Sequence, residues 1–102
     1  MSQAAQAPWT SERERLRHFQ KHGARLGMPT VEAYDGSARG TIRNGRQFTY
    51  RDPDNDEPRV GFYDVQRGRL TVVTDDESAI VTHFSCPERY VRRLPSSDYR
   101  RW

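Results

Sequence analysis

The run His18-Phe19-Gln20-Lys21-His22-Gly23 places two imidazoles and an ammonium within a few positions, and Lys21 is the only lysine in the chain. In a helix, His18 and His22 stand at i and i+4 on one face, with Lys21 beside them. Histidine exchanges protons near neutrality because its ordinary pKa is about 6.5. The pair could therefore supply a proton donor and a proton acceptor while Lys21 holds an anion, and one phosphate could meet all three. The alternative for each histidine is a solvated or capping side chain. Neither histidine is read as having a carboxylate or cysteine at ligand spacing. Cys86 stands alone, which excludes an internal disulfide, so no metal and no cofactor is expected.

Those side chains need a helix to hold them. Ser11-Glu12-Arg13-Glu14 fits a capping box and starts a helix predicted over 12–25. Leu16, Phe19 and Leu26 fall on one face of it, and His18, Lys21 and Arg25 on the other, with His22 at the border. Gly27-Met28-Pro29 stops this helix, and Thr30 caps a second one predicted over 31–41. Arg43-Asn44-Gly45-Arg46 reads as a turn, after which the period becomes alternating. Strands are predicted over 47–51, 59–65, 69–74 and 79–84, separated by Asp/Asn/Pro/Gly/Ser-rich turns too short for anything but antiparallel neighbours. The expected fold class is α+β, with two N-terminal helices packed on a four-stranded antiparallel meander sheet. In the last strand Ile80, Thr82 and Phe84 should share one face and Val81 and His83 the other, with His83 structural or exposed.

The 102 residues bound one small domain: 1–8 as a disordered lead, 9–95 as the folded unit and 96–102 as a basic tail. Hydrophobic residues are 33% and mean hydropathy is −1.04, so the core must be thin. The net charge is +3, and all of the excess lies after residue 87, where five arginines face Glu88 and Asp98. Sixteen arginines suit a phosphate-bearing partner, although arginine enrichment also follows from a high-GC genome. No apolar run approaches a membrane span and 1–7 lacks signal-peptide character, so neither a membrane partner nor an export signal is expected.

The order of elements resembles the small metal-independent ribonuclease toxins that group barnase, EndoU, the tRNA-cutting colicins and RelE. HFQKHGARLG at 18–27 resembles the HFxKHGxxxG opening of polymorphic toxin domains in that group, and PTVEAYDGSA resembles their TxEEYxxxA second helix. GFYDVQRGRLTVV and AIVTHFSCP are similar to their YDxxxNxxxVV hairpin and closing IxTxFxP strand. Within the group, the active region looks most like the colicin D type. Its Lys-His pair would map onto Lys21 and His22, and its Ser-x-Trp onto Thr82 and Phe84; threonine and phenylalanine replace serine and tryptophan here.

The resemblance implies RNA, with tRNA favoured, as partner rather than DNA, and cleavage to a 2',3'-cyclic phosphate. It also implies an acidic immunity or antitoxin protein, and action in the cytoplasm after possible delivery within a larger secreted polypeptide. His22 is then the main general acid or base, His18 the second candidate, Lys21 the clamp on phosphate oxygens and Thr82 a hydroxyl donor to them. Phe84 could stack a base or pack in the core, and Arg25 and Arg46 could track the RNA backbone or be solvated. The rival expectations are a non-catalytic RNA- or protein-binding module and a small phage- or secretion-associated adaptor.

Overall fold

Ser11 and Thr30 start the two helices that precede the sheet, each hydroxyl accepting a backbone N–H that the first turn leaves unpaired. Ser11 Oγ receives Glu14 N at 3.1 Å and Thr30 Oγ1 receives Ala33 N at 3.1 Å. The computed structural model describes residues 3–100. It comprises α1 (Glu12–His22), α2 (Val31–Asn44), β1 (Arg46–Arg51), β2 (Pro58–Asp64), β3 (Arg69–Thr74), β4 (Ile80–Ser85) and α3 (Glu88–Arg93). The class is α+β, and the four strands form one antiparallel sheet in the order β1-β2-β3-β4.

Several bounds differ from expectation for identifiable reasons. The capping box is half made, because the Glu14 carboxylate turns to Arg17, whose Nη2 donates to it at 2.7 Å. Helix α1 ends at His22 rather than residue 25: the chain turns after Gly23, and Gly27 takes the left-handed region at φ 73°. Helix α2 runs to Asn44, past the expected end at 41, and absorbs half of the expected turn.

Both faces of the sheet are covered. Tyr34, Ala38 and Ile42 of α2 pack with Val60, Phe62, Val73 and Ile80 on one face. Phe48, Tyr50, Tyr63, Leu70 and Val72 form the other core under Val91, Leu94 and Tyr99. The second layer is a correction to the expected loose C-terminal end. Helix α3 was missed because three arginines surround its buried Val91, and the 96–102 tail is docked as far as it is described. Asp98 exchanges bonds with the Thr49 backbone, the carboxylate accepting at 2.8 Å and the amide donating at 3.1 Å. This covers the outer edge of β1, which would otherwise offer unpaired backbone groups. Residues 101–102 lie outside the described ones.

The expected disordered lead is also corrected, apart from residues 1–2, which lie outside the described residues. Ala4, Ala5 and Ala7 are buried, and Arg39 Nη1 donates to Ala5 O at 2.9 Å and Ala7 O at 2.7 Å. Ile80 then exchanges backbone bonds with Pro8 and Thr10, so the start of the edge strand β4 is paired in parallel with the segment around Trp9.

Strand β4 carries a bulge. Ile80 pairs with Val73 and Thr82 with Val72, leaving Val81 without an opposite residue. The extra residue breaks the expected alternation: Ile80 joins the core under α2, whereas Val81 and Phe84 pack against the other. Thr82 and Phe84 still share a face, two residues apart beyond the bulge. His83 points under α2 and is fully buried. Its Nδ1 lies 2.9 Å from the Leu70 carbonyl, so Nδ1 carries the proton. Nε2 then accepts from Ser37 Oγ at 2.8 Å, and Ser37 accepts from Arg69 at 3.3 Å. His83 is a neutral structural residue.

Burial pushes the His83 pKa down to about 4. A histidine whose folded pKa lies below its unfolded value adds stability above the unfolded pKa and loses it as pH falls towards the folded one. Between pH 6.5 and 4 the urea midpoint should therefore drop, His83 contributing up to about 3 kcal/mol at about 1.4 kcal/mol per pKa unit. A His83→Met variant, less stable at pH 7, should show a shallower acid slope. An unchanged slope would show that His83 is not the buried neutral group.

Candidate active site

Helix α1 packs against β4 at the sheet edge. Phe19 reaches the core under α2, which turns His18 and His22 towards Thr82 and Phe84. His18 Nδ1 lies 3.0 Å from Thr82 Oγ1. Its Nε2 is 3.5 Å from Glu14 Oε1 and 3.4 Å from Arg17 Nη2. Two arrangements satisfy these partners: Thr82 donates to Nδ1 and Nε2–H faces Glu14, or Nδ1–H donates to Thr82 and Nε2 accepts from Arg17. Either way both nitrogens of His18 are engaged. Its side chain is only 12% exposed.

His22 is held by rings instead. It stacks on His18 with centroids 5.8 Å apart and planes within 11°, and lies 5.4 Å from Phe84. Among the described residues its imidazole makes no hydrogen bond, and the residue lines both the main cleft and the hollow beside it. Trp9 completes the stack, 6.3 Å from His18 and 5.8 Å from Tyr34, its indole N–H fixed by Asp35 at 2.7 Å.

Electrostatics follow from this packing. Burial, then the neighbouring His18, Lys21 and Arg25 charges, pushes the His22 pKa down to about 4. Burial and Arg17 lower that of His18 as well, against the pull of Glu14. Both rings are therefore neutral at pH 7 in the unliganded protein. A charge on His18 is one of the causes that lower His22, so protonation of that ring opposes protonation of its neighbour.

The pair opens into a cleft of about 620 Å³, floored by Thr82 and Phe84. Arg17 and Lys21 stand on the α1 wall, and Asp52, Asp54 and Asn55 of the β1–β2 connection on the opposite one. The structure thus brings together His18, His22, Lys21, Thr82 and Phe84. Arg25 lies beside them, sharing a smaller adjoining hollow with Lys21, His22 and Phe84. Arg46 is not among them. It sits on β1, at the far edge of the sheet from β4, with its guanidinium 4.7 Å from the Tyr99 ring centroid and bonded to the Arg100 carbonyl. It was expected in the turn at 43–46 as a residue that could track the RNA backbone; the sheet order carries it away from the histidines.

The Thr82 hydroxyl, expected to face phosphate oxygens, is engaged by His18 and so acts first as its orienter. Sequence reasoning missed Glu14, Arg17, Arg59 and Tyr90. Glu14 was findable, because it stands four residues before His18 on the same helix face. Arg59 and Tyr90 arrive from β2 and α3, and no local pattern announces them. Among the described residues no group of three or more His, Cys, Asp or Glu could hold a metal ion. Burial pushes the Cys86 thiol up to about 12, so it is no nucleophile at neutral pH.

No family model matches the chain, and no match was found among curated proteins or solved structures.

An imidazole titration by NMR should place the His22 transition near pH 4 and that of His18 below 6.5. Saturating inorganic phosphate should move both upward, because an anion favours the charged ring. A His22 transition at 6.5 or above in the unliganded protein would overturn the desolvated pair.

Proposed function

We propose that this chain is a metal-independent endoribonuclease toxin domain of the barnase/EndoU/colicin/RelE-like group, with tRNA as its favoured substrate class. The observation that carries the reading is His22: a neutral imidazole with no protein hydrogen bond among the described residues, in an open cleft beside Lys21 and stacked on His18. The similarity of residues 18–27 and 80–87 to the toxin motifs supports the same reading.

In this mechanism His22 takes the proton of a ribose 2'-hydroxyl, and the 2'-oxygen attacks the adjoining phosphorus. Lys21 offsets the charge that grows on the phosphorane oxygens, with Arg25 at the rim. His18, oriented by Thr82 and faced by Glu14, delivers a proton to the departing 5'-oxygen, leaving a 2',3'-cyclic phosphate. The toxin reading brings an acidic immunity or antitoxin protein that would cover the cationic wall, and action in the cytoplasm, after delivery where the domain forms part of a longer polypeptide. A second reading has its own support: neither histidine is protonated at neutral pH without a ligand, which suits a module that holds RNA without cutting it.

Total tRNA incubated with the protein in EDTA should give discrete new ends bearing cyclic phosphate. His22→Ala should slow this by about 10²–10⁴-fold, and Lys21→Ala by about 10²–10³-fold. The acid limb of kcat/KM should fall near pH 4, since below it His22 is protonated and cannot accept a proton. Intact RNA, or equal cutting by His22→Ala, would favour the binding module.

A further inference from the structure

The cleft has two walls of opposite sign. Arg17, Lys21 and the imidazoles stand on α1 with Glu14 among them, and Asp52 and Asp54 on the connection between β1 and β2, where Arg59 of β2 faces Asp52. Arg59 is offset by Asp52 at 3.8 Å and Glu57 at 3.0 Å, whereas Lys21 makes no ion pair among the described residues, so an anion is drawn to α1 and a nucleotide settles with its phosphate towards the histidines and its base towards residues 52–55. The volume of about 620 Å³ has room for such a unit.

The far wall is equipped for a base. Tyr90 lines the same cleft, is 41% exposed, and its hydroxyl makes no hydrogen bond among the described residues. It meets Phe84 edge-on, with centroids 5.8 Å apart and planes at 83°. Phe84 is itself flanked by His22 at 5.4 Å, which leaves Tyr90 as the more open ring. The carboxylates differ in what they have left to offer. Asp52 accepts from the Asp54 amide at 2.8 Å and faces Arg59 Nε at 3.8 Å. Asp54 has no hydrogen bond or ion pair on its carboxylate among the described residues, so both of its oxygens can accept.

An ionised carboxylate only accepts hydrogen bonds. Adenine, cytosine and guanine each present an exocyclic amine to it. Uracil presents one N–H between two carbonyl oxygens, which the carboxylate repels.

We propose that this wall is a base-reading subsite, in which Tyr90 stacks the base attached to the phosphate held at the histidines and Asp54 accepts from its exocyclic amine, so that an amine-bearing base is taken in preference to uracil. The proposal rests on the ribonuclease reading for the nature of the ligand. Asp52, by accepting from the Asp54 amide at 2.8 Å, fixes the backbone from which Asp54 projects.

The test is titration of the intact protein with the four ribonucleoside 3'-phosphates, followed by amide chemical shifts, alongside cleavage of a mixed-sequence RNA. The adenosine, cytidine and guanosine forms should bind at least about fivefold tighter than the uridine form. Tyr90→Ala should weaken binding by roughly fivefold to a hundredfold, whereas Tyr90→Phe should retain it. Asp54→Asn, which adds a donor, should narrow the discrimination against uridine and leave inorganic phosphate binding no weaker. Equal affinity for all four nucleotides, no binding of any, or indifference to Tyr90→Ala would overturn the subsite. Cutting of RNA without base preference would overturn it while leaving the nuclease reading intact. Base-dependent binding with no cutting would support the subsite and remove the nuclease reading.

Discussion

The packing of α1 against the edge strand β4 is the contact on which the site depends. It takes His18 and His22 partly out of water, and that desolvation, more than any neighbouring charge, sets their protonation. An edge strand is ordinarily a liability because its backbone groups are unpaired. Here its beginning is paired by residues 8–10, and Thr82 and Phe84 beyond the bulge are turned to the histidines of α1. The bulge at Val81 matters in this respect: the extra residue lets Ile80 and His83 serve the α2 core while Thr82 and Phe84 face the cleft.

The surrounding structure holds that contact rigid through polar bonds rather than bulk. Trp9 is clamped between Tyr34 and His18 and tied to Asp35, which is in turn paired with Arg39 at 2.9 Å. Arg39 then anchors the N-terminal carbonyls. His83 joins its own strand β4 to β3 through Leu70 and Thr71 and to α2 through Ser37. A small domain with a thin apolar core gains specificity from such satisfied buried groups, since each alternative packing would leave one of them without a partner.

Much of this was legible in local sequence. Ser11 and Thr30 announced their helices because N-capping is a one-residue decision, and the strands fell within a residue of their predicted bounds because alternation and turn chemistry are local. The clustering of His18, Lys21 and His22 was likewise written in helical spacing. What failed were features decided by distant partners. The lead containing Ala4, Ala5 and Ala7 is small and featureless until Arg39 and α2 meet it. Val91 and Leu94 are hidden among arginines until the open face of the sheet claims them. A bulge shifts side chains without changing composition, so the partners of His83 could not be read from β4 alone. Arg46 was misplaced because sequence proximity to the turn said nothing of sheet order, and Tyr90 was unassigned because α3 itself was not foreseen.

The depressed histidines bear directly on how the cleft could work. A phosphate monoanion about 4 Å from an imidazole, at an effective dielectric near 20, contributes about 4 kcal/mol, or roughly three pKa units. An anion so placed favours the charged form of a depressed imidazole, and in the proposed mechanism the ring that takes the proton is His18, the acid, while His22 stays neutral as the base. The stacking of His18 on His22 then becomes an asset: two rings whose planes lie within 11° resist double protonation, so one bound anion recruits one proton. The state with one neutral and one protonated histidine is the state that proton transfer in both directions requires. On this account the unliganded cleft is chemically quiet at pH 7, and the ligand that needs the acid is also the charge that creates it. On the proposed reading, desolvation and proton transfer are compatible, because the penalty on a charged ring in the empty cleft is offset by a single anion.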